Sequence, residues 1–343
     1  MLGSLYPLHS VDQLIVQVYK EVRLAPSLCF TEAFVRRLAY LRSLQIDFVY
    51  WVTIGSTENS LQLPVVLESL NKLLNALHGK LHQHFSIKGY YSLSSLSYSR
   101  IEYWRINAQP LKSLSSVNII GDIAFCPGIF EWIVDTLNTS PVVELSLSNP
   151  SFKRQNENAK LFCRNVKLRM LQKLQIDGWL YILDSHLSSF LLNLSVLREL
   201  SLTGSITDLL ITPQARPLHR RALPCLQLLR ATPEGAHWVL AKGGAAKLTD
   251  LDLPNVAQST GRITPTTNIL CHNLFTSLAT RKTLRKLSVS FARLSPGFFA
   301  SINTATKKVR AEQKMCYIIQ LTLVDWNVGE DADRVDPVCL AMS

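Results

Sequence analysis

Apolar residues return along the chain as triplets of the form Leu-x-x-Leu-x-Leu, with polar residues filling the gaps. Triplets stand at Leu41/Leu44/Ile46, Leu114/Val117/Ile119, Val142/Leu145/Leu147, Leu171/Leu174/Ile176, Leu197/Leu200/Leu202, Leu248/Leu251/Leu253, Leu284/Leu287/Val289 and Ile318/Leu321/Leu323. Poorer copies lie at Leu226/Leu229 and around Phe85/Ile87. A chain this rich in leucine produces such triplets by accident, so the spacing carries more weight. Val117, Leu145, Leu174, Leu200 and Leu229 follow one another at intervals of about 28, 29, 26 and 29 residues, a period at which one strand and one helix fit. Later intervals are uneven, so the repeat is irregular.

Between triplets the periodicity changes from two to about 3.6 residues, as a strand followed by a helix requires. Val65, Val66, Leu70, Leu73, Leu74 and Leu77 form one helical stripe, Phe130, Ile133, Val134 and Leu137 a second, and Leu187, Phe190, Leu191 and Leu194 a third. Cys126-Pro127-Gly128 marks a turn before the second. A strand-helix unit cannot bury its apolar face alone, so neighbouring units must stack. The expected fold is α/β: an irregular leucine-rich-repeat solenoid with a curved parallel sheet on the concave side and helices on the convex side.

Residues between the triplet leucines point away from the core. One row reads Gln45, Asn118, Ser146, Gln175, Ser201, Asp252, Ser288 and Thr322; the row before it reads Ser43, Ser116, Glu144, Lys173, Glu199, Asp250, Lys286 and Gln320. Neither contains an apolar residue, in a chain that is 47% hydrophobic. The expected partner-binding concave face is therefore Glu144, Ser146, Lys173, Gln175 and Asp177, continued by Glu199, Ser201, Thr203, Asp250 and Asp252. Its mixed charges suit directional recognition of a protein better than a phosphate backbone. Asn or Cys three residues past the last strand leucine, usual in such repeats, is replaced by Trp179, Ser205, Val256 and Trp326. Irregular loops are expected there, with Trp179 and Trp326 packed over the ends of the sheet.

The stretch from Gln13 to Asp47 contains Tyr19-Lys20-Glu21-Val22 followed by Leu41-Arg42-Ser43-Leu44-Gln45-Ile46-Asp47, and further on Leu223-Pro224-x-Leu226 precedes Ala231-Thr232-Pro233-Glu234. These phrases resemble fungal F-box/leucine-rich-repeat proteins, in which a helix ends in the tyrosine phrase just after the F-box. The resemblance implies a substrate receptor of a cullin-RING ubiquitin ligase, its repeats holding a protein target. The F-box itself is not found in this chain, so the Skp adaptor and cullin are expected as partners only if an F-box lies upstream. On this reading, residues 1–36 are a helical lead-in, 37–328 a solenoid of about nine or ten rungs, and 329–343 a tail.

The balance of 36 Lys+Arg against 25 Asp+Glu gives a net charge of +11. Its clusters are Lys153, Arg154, Lys160, Arg164, Lys167 and Arg169; Arg216, Arg220 and Arg221; Arg281, Lys282, Arg285 and Lys286; and Lys307, Lys308, Arg310 and Lys314. None is interleaved with stacking aromatics. A basic nucleic-acid-associated protein using outer-face Lys/Arg is thus the alternative, and a solvated surface the preferred explanation.

Seven scattered cysteines, odd in number and never in Cys-x-x-Cys spacing, signal neither disulfides nor zinc. Cys271-His272, adjacent in sequence, diverges in an extended chain. His78, His82 and His84 resemble a metal set, but Gly79 is expected to end the preceding helix first. Asp47, Asp177 and Asp252 sit on distant rungs. There is no G-x-S-x-G, P-loop or G-x-G-x-x-G. The expectation is no enzyme, no cofactor and no metal, in a cytoplasmic or nuclear protein without a membrane segment.

Overall fold

A computed structural model of the chain describes residues 10–18, 34–49, 52–54, 62–93, 105–148, 157–177, 184–203, 218–219, 222–242, 244–254, 274, 278, 281–291 and 320–325. It is α/β, with parallel strands and intervening helices. The chain divides into two compact units, Met1–Leu171 and Gln172–Ser343.

In the first unit, β1 (Ser10–Val18), β2 (Tyr40–Phe48), β4 (Leu81–Gly89), β6 (Ser116–Gly121) and β7 (Glu144–Ser148) pair in that order, all parallel. Two shorter strands, β3 (Val52–Ile54) and β5 (Tyr91–Leu93), pair separately. The helices are α1 (Gln62–Leu77), α2 (Pro127–Thr139) and α3 (Glu157–Asn165). Register puts Leu44, Phe85, Val117 and Leu145 side by side, with Ile46, Ile87, Ile119 and Leu147 in the next row, and all of them are buried. The poorer copy at Phe85/Ile87 is therefore a full rung. One extra residue in β4 between Leu81 and His84 disturbs the pairing with β2 and blurs its pattern.

The helices close the apolar side. Trp132 of α2 meets Phe85 edge-on, the ring centroids 5.6 Å apart, and Phe125 meets Phe162 of α3 at 5.5 Å. Ile133, Val134 and Leu137 are buried on α2, while Leu70, Leu73, Leu74 and Leu77 are buried on α1. Pro127 occupies the first helical positions, where its missing N–H costs nothing. Gly79, at φ +74°, follows the end of α1 as expected from the sequence. It leaves His78 and His84 exposed on a turn and a strand.

Asparagines on the helices stitch one rung to the next. Asn71 Oδ1 accepts from the Asn107 and Ala108 amides at 2.7 and 3.0 Å, and Asn138 Oδ1 accepts from Lys167 N at 2.7 Å. Trp179 and Trp326, anticipated over the sheet ends, lie outside the described residues.

The helical lead-in is corrected: Ser10–Val18 is a strand that extends the sheet by one rung, and helix within 1–36 is described only at 34–36. Val16 and Val18 are buried and Gln17 between them is exposed, the alternation of a strand. The Tyr19 phrase itself lies outside the described residues.

In the second unit, β8 (Lys173–Asp177), β9 (Glu199–Leu202), β10 (Leu228–Ala231), β11 (Asp250–Leu253), β12 (Lys286–Phe291) and β13 (Gln320–Asp325) follow one another in strict chain order, all parallel. Leu174, Leu200, Leu229, Leu251 and Leu287 form one buried row. Burying each contributes about 1.5–3 kcal/mol. Its helices include α4 (Asp184–Leu192) and α5 (Pro233–Leu240). Thr232 starts α5: its Oγ1 accepts from Gly235 N at 3.3 Å, Pro233 follows, and Glu234 complements the helix dipole.

Each rung of this unit is entered in the same way. The carbonyl before one strand accepts two successive amides from the next rung: Gln172 O from Arg198 and Glu199, Arg198 O from Gln227 and Leu228, Gln227 O from Thr249 and Asp250, and Thr249 O from Arg285 and Lys286. This recurrence fixes the register of unequal rungs, whose connections differ in length.

Arg281 is a half-buried example of the same economy. Its guanidinium donates to Leu240 O, Gly244 O and Ala245 O at 2.9–3.1 Å, and burial lowers its pKa. It satisfies carbonyls at the end of α5. Lys80 does likewise in the first unit, donating to Val35 O and Arg36 O at 3.0 and 2.8 Å.

His237 on α5 is held below the ordinary imidazole pKa by burial, and its Nδ1 has no hydrogen-bond partner among the described residues. The unfolded chain takes up this proton near pH 6.5, whereas the folded chain resists it to lower pH. The contribution is therefore fully present above about 6.5 and is lost as pH falls through the folded value. The urea midpoint of the native protein should drop more between pH 7.5 and 5.5 than that of His237→Gln. Equal drops would show that His237 is not the group responsible.

Candidate functional site

Alternation along the strands sends one set of side chains into the core and the other to the opposite face. In β8, Leu174 and Ile176 are buried, while Lys173 is exposed and Gln175 and Asp177 are half-buried. Glu199, Ser201 and Thr203 repeat this on the next rung, followed by Leu228 and Arg230, then Asp250 and Asp252, then Lys286 and Ser288. Register aligns Lys173, Glu199, Leu228, Asp250 and Lys286 in one row and Gln175, Ser201, Arg230, Asp252 and Ser288 in the next.

Eight of the ten residues expected on the concave face thus share one face of the second unit. Glu144 and Ser146 lie on β7 of the first unit, on the side away from its buried Leu145 and Leu147. Of the eight, Lys173, Gln175, Asp177, Glu199, Ser201 and Thr203 line a groove of about 480 Å³. Leu174, Leu200, Leu228, Arg230 and Pro254 line the rest of it.

Two of those wall residues were not legible in advance. The rung around Leu229 is weak in the sequence because Ala231 stands where the last large apolar residue should be. The expectation of two wholly polar rows is accordingly corrected. Leu228, with 37% of its surface exposed, is an apolar island in one of them. Recognising Leu226, Leu229 and Ala231 as a complete triplet would have found both Leu228 and Arg230.

Charges on the face alternate in sign from strand to strand. Lys173 Nζ lies 3.8 Å from Glu199, Arg230 Nε 3.3 Å from Asp252, and Lys286 Nζ 3.9 Å from Asp250. These pairs are solvent-accessible, so each adds at most about 1 kcal/mol to stability. Thr249 Oγ1 also donates to Asp250 at 2.6 Å. By contrast, Gln175, Asp177, Ser201 and Thr203 make no side-chain hydrogen bond or ion pair among the described residues. The sequence matches no protein-family model and no curated protein.

Other candidate chemistry is scattered. Asp47 belongs to the first unit, 3.8 Å from Lys88, whereas Asp177 and Asp252 stand on β8 and β11, three strand spacings or about 14 Å apart across the sheet. The buried thiols of Cys126 and Cys163 are both pushed up to about 12 by desolvation, which keeps them protonated and poorly nucleophilic at neutral pH. Cys271 and His272 lie outside the described residues. Among the described residues no three His, Cys, Asp or Glu side chains gather as metal ligands do. No helix among them is long and apolar enough to cross a membrane.

Proposed function

We propose that the chain is a non-catalytic protein-recognition scaffold of irregular leucine-rich repeats, similar in role to the substrate-binding repeats of F-box/leucine-rich-repeat receptors, and that the polar face of the second unit holds the target. The groove carries this reading. It collects residues from β8, β9 and β10 that are far apart in sequence, and it offers charges of both signs beside unengaged amide, hydroxyl and carboxylate groups. Such a face gives orientation and partner discrimination, which is the work of charged groups at protein interfaces. The in-register parallel rungs and recurrent carbonyl bridges support the repeat assignment.

Nucleic acid, the alternative, finds less support. A phosphate-binding face needs unmatched cations. Here Lys173, Arg230 and Lys286 are each matched by a carboxylate. Arg281, placed with the outer basic cluster in the sequence, is committed to backbone carbonyls, and Lys286 of that cluster belongs to the polar sheet face. Lys307 lies outside the described residues.

The test is to reverse Lys173, Asp177 and Asp252 together to Glu, Lys and Lys. Affinity for a protein partner should fall about a hundredfold, because like charges then meet across the interface. The melting temperature should change little, since the ion pairs disturbed are solvent-accessible and each is worth at most about 1 kcal/mol. Unchanged affinity, or steeply salt-dependent RNA or DNA binding, would contradict the proposal.

A further inference from the structure

Each cation lining the groove already has an anion beside it: Lys173 has Glu199, and Arg230 has Asp252. Asp177 is the charge left over, with no ion pair among the described residues. Lys173 cannot neutralise it, because four residues of strand separate their backbones by about 13 Å. Arg230 is two strands away, about 10 Å across the sheet, and is held toward Asp252. Within a chain of net charge +11 the groove therefore presents, among the described residues, one unmatched carboxylate. Beside it, Gln175 and Ser201 offer an amide and a hydroxyl to a backbone, and exposed Leu228 offers an apolar contact.

Resting on the reading of this face as a protein-binding surface, we infer that Asp177 is a cation anchor and that the groove takes an extended segment of a partner protein. That segment places a Lys or Arg side chain on Asp177 and an apolar side chain on Leu228. The span fixes their separation. Leu228 lies two strands across from β8, in the row of Lys173, so it stands about 16 Å from Asp177. About five extended residues cover that distance.

The experiment selects displayed random dodecapeptides on the full-length chain and measures synthetic copies of the enriched ones by fluorescence anisotropy. The expected peptides carry Lys or Arg about five residues from a Leu, Ile, Met or Phe. Asp177→Asn should weaken them about fivefold, the scale of a partly exposed ion pair. Asp177→Lys should weaken them further and be rescued by exchanging the peptide's cation for Glu. Ser201→Arg, which fills the groove, should abolish binding. Peptides blocked by Ser201→Arg but indifferent to both Asp177 variants, or predominantly acidic peptides, would overturn the anchor while leaving the binding face intact. Peptides indifferent to Ser201→Arg, or none enriched, would overturn the reading of the face itself.

Discussion

Leu200→Ala should cost about 2–5 kcal/mol, the range for deleting a fully buried leucine side chain from a close-packed core. Leu200 has no exposed surface and stands between Leu174 and Leu229 in the buried row. Its removal opens a cavity that three successive rungs share. In an array whose rungs contact chiefly their neighbours, the loss should be local. Amide exchange should accelerate most in β8, β9 and β10 and least in β12 and β13 of the same unit. Uniform acceleration from β8 to β13 would contradict a repeat architecture.

Gly121→Ala should cost roughly 3–5 kcal/mol, more than most single substitutions. Two effects act together. Gly121 has φ +82°, a conformation that side chains with a Cβ rarely adopt, and an added Cβ would run into the carbonyl of Gly89 on the neighbouring strand. The obstacle is backbone, so it cannot rotate away. Gly79 supplies the control: at φ +74° it is equally left-handed, but an added Cβ meets nothing within 4 Å. Gly79→Ala should therefore cost only about 1–2 kcal/mol. Equal melting temperatures for the two variants would show that the approach of β6 to Gly89 is looser than described.

The strands were legible because Leu-x-x-Leu-x-Leu sets the core side and its period sets the spacing; the triplets at Leu145, Leu174, Leu200 and Leu251 all became paired strands. The first rung was not legible as a strand. In Ser10–Val18, Val11, Leu14, Ile15 and Val18 match helical spacing as well as Leu14, Val16 and Val18 match strand spacing. Pairing with β2 decides between them, and that partner lies more than twenty residues away in sequence. Helix α3 was missed because Glu157–Asn165 buries only Phe162 and Cys163 among its described side chains, too few to make a stripe.

The site shows the same division. Its polar rows followed from strand alternation alone, so Lys173, Gln175, Asp177, Glu199 and Ser201 could be named before any contact was known. Which of them remain unengaged could not be read from alternation. That depends on cross-strand neighbours: Arg230 takes Asp252 and Lys286 lies beside Asp250, while no cation described in the structure reaches Asp177. The division of Arg281 from Lys282 is of the same kind. Both read as surface cations in sequence, and only the first meets the carbonyls at the end of α5.

The most direct measurement places a photo-crosslinking amino acid at Ser201, in the groove, and separately at Lys72, an exposed position on α1. After irradiation in cells, the account predicts a discrete protein adduct from position 201 that the reversal of Lys173, Asp177 and Asp252 abolishes, and no such adduct from position 72. An adduct from position 72 alone, or a product at 201 that ribonuclease rather than protease removes, would contradict it.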